Sequence, residues 1–192
     1  MHMLGYLPVS KRNILIKIQA TPFNLAILQT YAPTSDYSEE VVDKYYEEVK
    51  DVLKEVKSSE VLIVMGDMNA KVGNQKLKNI VGQHGLGKIN DRGVKLTQFC
   101  SEYDLCIKNT FFQHQPRRTY TWKSPGDRRR NQIDYIMIKQ RFKNSVKQCK
   151  TYPVADIESD NAPVVAKIQI KLKKLEKTIF NSLEKMTAFS SL

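Results

Sequence analysis

A chain of 192 residues with 41% hydrophobic content and only 8 Gly and 7 Pro fits one domain of ordinary size, and excludes a disordered, collagen-like or linker-dominated protein. Thirty-one Lys and Arg against 20 Asp and Glu leave a formal charge of +11, which biases the surface towards polyanions, nucleic acid above all. Three widely spaced cysteines in apolar surroundings, Cys100, Cys106 and Cys149, suggest neither a disulfide framework nor a zinc site. They imply a reducing, intracellular compartment, with the nucleus compatible. No apolar run reaches the ~18 residues of a membrane span, so no membrane partner is expected. The N-terminal stretch "MHMLGYLPVSKRN" lacks the apolar core of a secretion signal.

In chain order, "NILIKIQA" (13–20) and "FNLAILQTYA" (23–32) read as a β-hairpin turning at Thr21 and Pro22. Residues 38–57 place Val41, Tyr45, Val49, Val52, Leu53 and Val56 at helical spacing behind Ser38 as N-cap, with Glu39 and Glu40 in the first turn. That is an amphipathic helix packed on a core. "VLIVM" (61–65) is too short for a buried helix and reads as a strand covered on both faces. Residues 73–93, rich in Gly and Asn, form a long loop, a kind of segment more often functional than neutral. A second helix is expected over 94–103 through Leu96, Phe99, Cys100 and Tyr103. Further strands are expected at 105–112, 118–122, 131–138, 145–152 and 163–173, followed by a charged tail over 174–192.

Polar residues recur where these strands end. The 61–65 strand runs into Gly66, Asp67 and Asn69, which read either as a turn or as oxygen ligands for a hard cation or an attacking water at a strand end. Tyr31 closes the second strand. Asp134 sits inside the apolar run "QIDYIMI" and must either face solvent or find a partner. Arg117 and Arg118 precede "TYTW", and Arg128, Arg129 and Arg130 form a basic turn. Both clusters read either as phosphate contacts or as solvated surface.

The ordered set "YAPT", "GDMNAKVG", "RTYTW", "QIDYI" and "SDN" resembles the endonuclease/exonuclease/phosphatase superfamily, over roughly residues 5 to 173. Within it, the set is most similar to the apurinic-type endonuclease domains of RTE/BovB-like retrotransposons. The resemblance implies a DNase I-like α/β (α+β) fold: a four-layer sandwich of two mixed β-sheets flanked by helices, spanning 1–173. It also implies a monomer that hydrolyses DNA phosphodiesters with Mg²⁺ or Mn²⁺ and uses no small-molecule cofactor. Carried over by position, Asp67 orients or deprotonates water, Asn69 holds water or a phosphate oxygen, and Tyr31 donates to the scissile phosphate. Thr121 and Trp122 match a loop lying along DNA, and Asp160 a carboxylate near the metal. Asp134 matches the acid that orients a catalytic histidine.

Two departures bear on activity. The family pattern Ser-Asp-His is here Ser159-Asp160-Asn161, and an asparagine can donate a hydrogen bond but cannot shuttle a proton. His2, His84 and His114 are expected to be solvated and to offer no replacement. The family's N-terminal segment, with its metal-binding Glu, has no counterpart before "GYLPVS", and the glutamates of the 38–57 helix are poor substitutes for it. The expectation is a truncated, retrotransposon-derived domain with impaired catalysis and an exposed sheet edge. Three functions stay open: a working endonuclease, a non-catalytic DNA-binding relic, or a protein-interaction module.

Overall fold

The computed structural model describes residues 2–153 and 160–171. The expected tail and Ser159 lie outside them. Ten strands and two α-helices follow in the order β1 (His2–Pro8), β2 (Asn13–Gln19), β3 (Leu25–Tyr31), α1 (Glu39–Lys54), β4 (Val61–Asp67), α2 (Asp91–Glu102), β5 (Leu105–Ile107), β6 (Trp122–Lys123), β7 (Arg130–Asn131), β8 (Asp134–Lys139), β9 (Val146–Thr151) and β10 (Val164–Ile168).

Six strands form one mixed sheet in the order β1-β2-β3-β4-β8-β5. The 13–32 hairpin is present, with β2 antiparallel to β3. β4 pairs parallel with β3 and antiparallel with β8, so it lies in the sheet interior as its unbroken apolar run requires. Alternate side chains serve two cores. One face, with Leu28, Leu62, Val64 and Met137, packs on Tyr46, Val49 and Leu53 of α1 and on Leu96 and Phe99 of α2. The other, with Val61, Ile63, Ile136 and Ile138, packs on Val146, Cys149, Val164 and Ala166 of the β9–β10 ribbon. This is the expected α/β sandwich. Among the described residues the second sheet has two strands and no α-helix covers it. The three cysteines are free and buried.

Several local expectations are corrected. Val41 is 39% exposed, and the apolar stripe of α1 instead uses Val42 and Tyr46. Ser38 occupies the N-cap position without a capping hydrogen bond from its side chain. The second helix starts at Asp91 because Asn90 caps it, its side-chain oxygen accepting from Gly93 N at 2.9 Å. The 105–112 strand stops at Ile107 and gives way to a 3₁₀ turn, Lys108–Phe111. There the Asn109 amide replaces the main-chain ladder: it donates to Asp134 O at 3.0 Å and accepts from Ile136 N at 2.9 Å. Pro116 opens another 3₁₀ turn, Pro116–Arg118, which cuts the 118–122 strand to two residues. β1 carries no strong period and forms a sheet edge on which Met3, Leu4, Tyr6 and Leu7 are exposed.

Gly66 is the tightest point of the sheet. Its φ is +142°, and a Cβ there would stand 1.8 Å from Thr30 O on β3. Replacing it must part β3 and β4 or strain the backbone. Gly66→Ala is expected to lower stability by at least about 2 kcal/mol, seen as a Tm reduced by ~4 °C or more. A Tm unchanged by this substitution would contradict the close approach of the two strands.

Candidate active site

Register and alternation assemble the centre. Tyr31 pairs with Asp67 across β3–β4, and Asp67 pairs with Asp134 across β4–β8. Residues paired in register project from the same face of a sheet. That face is the one covered by β9–β10, and these three residues lie at the strand ends. Three polar residues separated by 36 and 67 positions in sequence therefore stand in one row.

A second set of strands brings the remaining residues to the row. β6 and β7 form a short ribbon, and residues 160–162 run along β6: Trp122 bridges to Asn161, Lys123 N donates to Asp160 O at 3.1 Å, and Ala162 N donates to Thr121 O at 2.7 Å. Trp122 Nε1 donates to Asp160 Oδ2 at 2.7 Å. The resulting cleft has a volume of about 580 Å³, and Tyr31, Asp67, Asn69, Trp122, Asp160 and Asn161 line it. Asn161 also borders a smaller pocket that contains Asp134.

Each member is held from behind. Asn69 adopts φ +45°, a left-handed conformation that asparagine tolerates. Its backbone N donates to Asp67 Oδ1 at 2.8 Å, and its side-chain nitrogen donates to Ala32 O at 2.8 Å. The Gly-Asp-x-Asn segment is thus a turn and a site wall together. Asp134 is fixed at its main chain by Asn109 and by Thr121, whose hydroxyl oxygen accepts from Ile133 N at 3.0 Å and Asp134 N at 3.1 Å.

Thr121 is fully buried, which corrects its expected place along DNA: its side chain positions Asp134 instead. The basic side chains divide. Arg117, Arg128 and Arg129 are exposed. Arg118 stacks on Tyr152, and Arg130 is ion-paired to Asp127 and stacked on Tyr120, which compensates its charge. His114 is not simply solvated, since its ring contacts Cys149 O at 2.8 Å and stacks on Phe112. None of His2, His84 and His114 lines the cleft. Sequence reasoning missed Lys71, Asn90, Thr34 and Ser35 as lining residues. Thr34 and Lys71 lie within the motifs YAPT and GDMNAKVG, and Asn90 carried a signal as a helix cap.

The cleft is electrostatically unbalanced. Burial raises the Asp67 carboxyl above its ordinary value and the Asp160 charge adds to this, against the hydrogen bond from Asn69. Burial likewise pushes Asp134 up to about 7, opposed by a hydrogen bond with Thr121 and reinforced by Asp67 and Asp160. Asp134 Oδ2 is buried with no hydrogen-bond partner among the described residues. Also among these residues, no three His, Cys, Asp or Glu side chains form a metal-holding group. Asp67 and Asp160 are the carboxylates of the cleft itself.

Fold and cleft together define a nuclease-like domain. The chain belongs to the endonuclease/exonuclease/phosphatase family, whose sequence profile matches residues 7–160. It is 45% identical over 167 residues to craniofacial development protein 2 of Bos taurus and 44% identical over the same length to that of Tragulus javanicus. Each match covers 87% of this chain but only 28% and 29% of the relatives' lengths. Among solved structures, the endonuclease domain of TRAS1, a telomere-specific non-LTR retrotransposon, superposes with a TM-score of 0.62 at 16% identity, covering 86% of this chain and 67% of that one. The Neisseria 3′ phosphatase NExo, as a point variant bound to product DNA hairpin, gives 0.63 at 13% identity, covering 88% and 72%. These two likenesses confirm the DNase I-like fold.

The raised Asp134 makes stability depend on pH. Its carboxyl holds a proton more tightly folded than unfolded, so its contribution is present at about pH 4 and is lost as pH rises towards 7. In EDTA, thermal unfolding followed by circular dichroism should show a Tm that falls across this window, and Asp134→Asn should make the fall shallower. An identical slope in the variant would contradict the desolvation of Asp134.

Proposed function

We propose that this domain is built to hydrolyse DNA phosphodiesters with a divalent cation, and that Asn161 leaves it with weak turnover. The observation that carries the reading is the row Tyr31–Asp67–Asp134 on one sheet face, closed by Asp160 and Asn161 in one cleft.

The donor set suits Mg²⁺ or Mn²⁺ in a particular way. Two carboxylates are too few for an all-protein cage, but Mg²⁺ commonly takes one or two carboxylates and fills its shell with water and substrate phosphate oxygens. Asp67 and Asp160 would hold it, and when bound it supplies positive charge against the developing phosphorane. Asp67, which accepts from Asn69 N, would orient an attacking water held beside Asn69. The Tyr31 hydroxyl, half-exposed at the cleft, can donate to a phosphate oxygen. Arg117, Arg128 and Arg129 would meet flanking phosphates, with the net charge of +11 favouring DNA approach.

The unsatisfied Asp134 Oδ2 fits a position built to grip a protonated partner, and Asn161 borders its pocket. An amide there can still hydrogen-bond a phosphate oxygen but moves no proton. The order of motifs further suggests descent from a retrotransposon endonuclease, and the reducing, DNA-bearing nucleus is the fitting compartment.

Nicking of supercoiled plasmid tests this. Weak nicking that needs Mg²⁺ or Mn²⁺ is expected, with Asp67→Ala abolishing it and Asn161→His raising it by about 10² or more, the usual scale of proton-transfer catalysis. Nicking unaffected by Asp67→Ala, or no gain from Asn161→His, would overturn the reading. Salt-sensitive DNA binding without nicking by either form would instead leave a DNA-binding role alone.

A further inference from the structure

The row at the strand ends continues past Tyr31. Tyr31 N donates to Arg12 O at 3.0 Å, so Arg12, at the entrance to β2, stands next to Tyr31 as Tyr31 stands next to Asp67. The Arg12 guanidinium carbon lies 5.5 Å from the Tyr31 ring centre and 5.2 Å from that of Tyr37. Tyr37 belongs to a turn closed by its own N–H donating to Thr34 O, and Thr34 and Ser35 of that turn line the cleft.

This group is unusual in two respects. Tyr31 and Tyr37 are 47% and 45% exposed, although tyrosine usually buries its ring or bonds its hydroxyl. Arg12 makes no ion pair among the described residues, unlike Arg92 and Arg130. Its planar cation lies by two rings and donates to Tyr31 O at 3.4 Å, which holds it beside the cleft with no acid of the described residues at ion-pair distance. A cation and exposed aromatic faces bordering a phosphate cleft are what single-stranded nucleic acid sites combine. Bases inside a duplex stack on their neighbours and offer no free face, whereas an unpaired base does.

We propose that Arg12 and Tyr37 form a bracket for an unpaired nucleotide of the substrate strand, its base stacked on Tyr37 and its phosphate met by Arg12. The inference rests on the phosphodiester cleft described above and adds a substrate class to it: DNA frayed, gapped or single-stranded beside the reacting phosphate. Neighbouring strands are about 4.8 Å apart and Arg12 lies two strands from Asp67, so the bracket begins roughly 10 Å from it, within reach of the adjoining nucleotide.

The test measures binding, not turnover. Fluorescence anisotropy in EDTA at fixed ionic strength compares a labelled 12-nucleotide thymidine strand with a blunt duplex of equal length, for the full chain and for Tyr37→Ala, Tyr37→Phe and Arg12→Ala. Tyr37→Ala is expected to weaken single-strand binding about 10-fold, consistent with loss of one base stack, while Tyr37→Phe stays within about 2-fold of the parent. Duplex affinity should change less than about 2-fold with either Tyr37 variant. Arg12→Ala should weaken single-strand binding and flatten its salt dependence. Tyr37 is exposed, so the variant keeps its fold, and circular dichroism verifies this. Single-strand binding indifferent to Tyr37→Ala, or equal losses on strand and duplex, overturns the bracket while leaving the cleft's reading intact. Failure to bind either DNA overturns both.

Discussion

The site depends on one alignment: the register of β3, β4 and β8 at their ends, where Tyr31, Asp67 and Asp134 pair in turn across three strands. A shift of one residue in any strand would turn its polar side chain towards the helices and bury it among apolar groups. Much of the molecule resists that slip. The apolar runs of β4 and β8 lock into two cores at once, one under α1 and α2 and one under β9–β10. Gly66 lets β4 close onto Thr30 just before Asp67. Below the row, Thr30, Asn13 and Tyr45 form a buried hydrogen-bonded set that satisfies the polar groups the alternation turns inward.

The charge of the row fits the proposed substrate. Asp67, Asp134 and Asp160 repel one another, which adds to burial in raising the first two, although the chain as a whole carries +11. A net positive chain with an acidic, partly desolvated cleft suits a polyanion that arrives with a cation between phosphate and carboxylate. Trp122 and the 160–162 segment complete the cleft as a small added ribbon, so the acid contributed by position 160 depends on strand pairing outside the central sheet. On the proposed reading, the Asn161 amide at the place of the family's histidine can hydrogen-bond but offers no proton route.

Much of this was legible in the sequence where a single physical rule governs. The hairpin, the buried run at 61–65 and the polar strand ends follow from period and termination. Where side chains take over main-chain roles, local patterns misled. Asn109 completes the β8 ladder and ends a strand that looked eight residues long, and Asn90 starts a helix three residues early. The family resemblance puts Thr121 on a loop along DNA, yet its hydroxyl satisfies two backbone amides inside the protein. The Arg12–Tyr37 stack had no signal at all. It exists only because β2 and the turn after β3 meet at one sheet end.

We propose that the cleft retains the machinery for attack on a phosphodiester but has lost the means of protonating what leaves. The most direct measurement uses a thymidine 5′-p-nitrophenyl phosphodiester, whose leaving group departs without protonation, with Mg²⁺ or Mn²⁺ and release followed by absorbance. Hydrolysis by the parent chain is expected, abolished by Asp67→Ala and changed no more than about 2-fold by Asn161→His, since the missing proton is not needed. Absence of hydrolysis, or a rate that Asn161→His still raises by about 10², would contradict the claim.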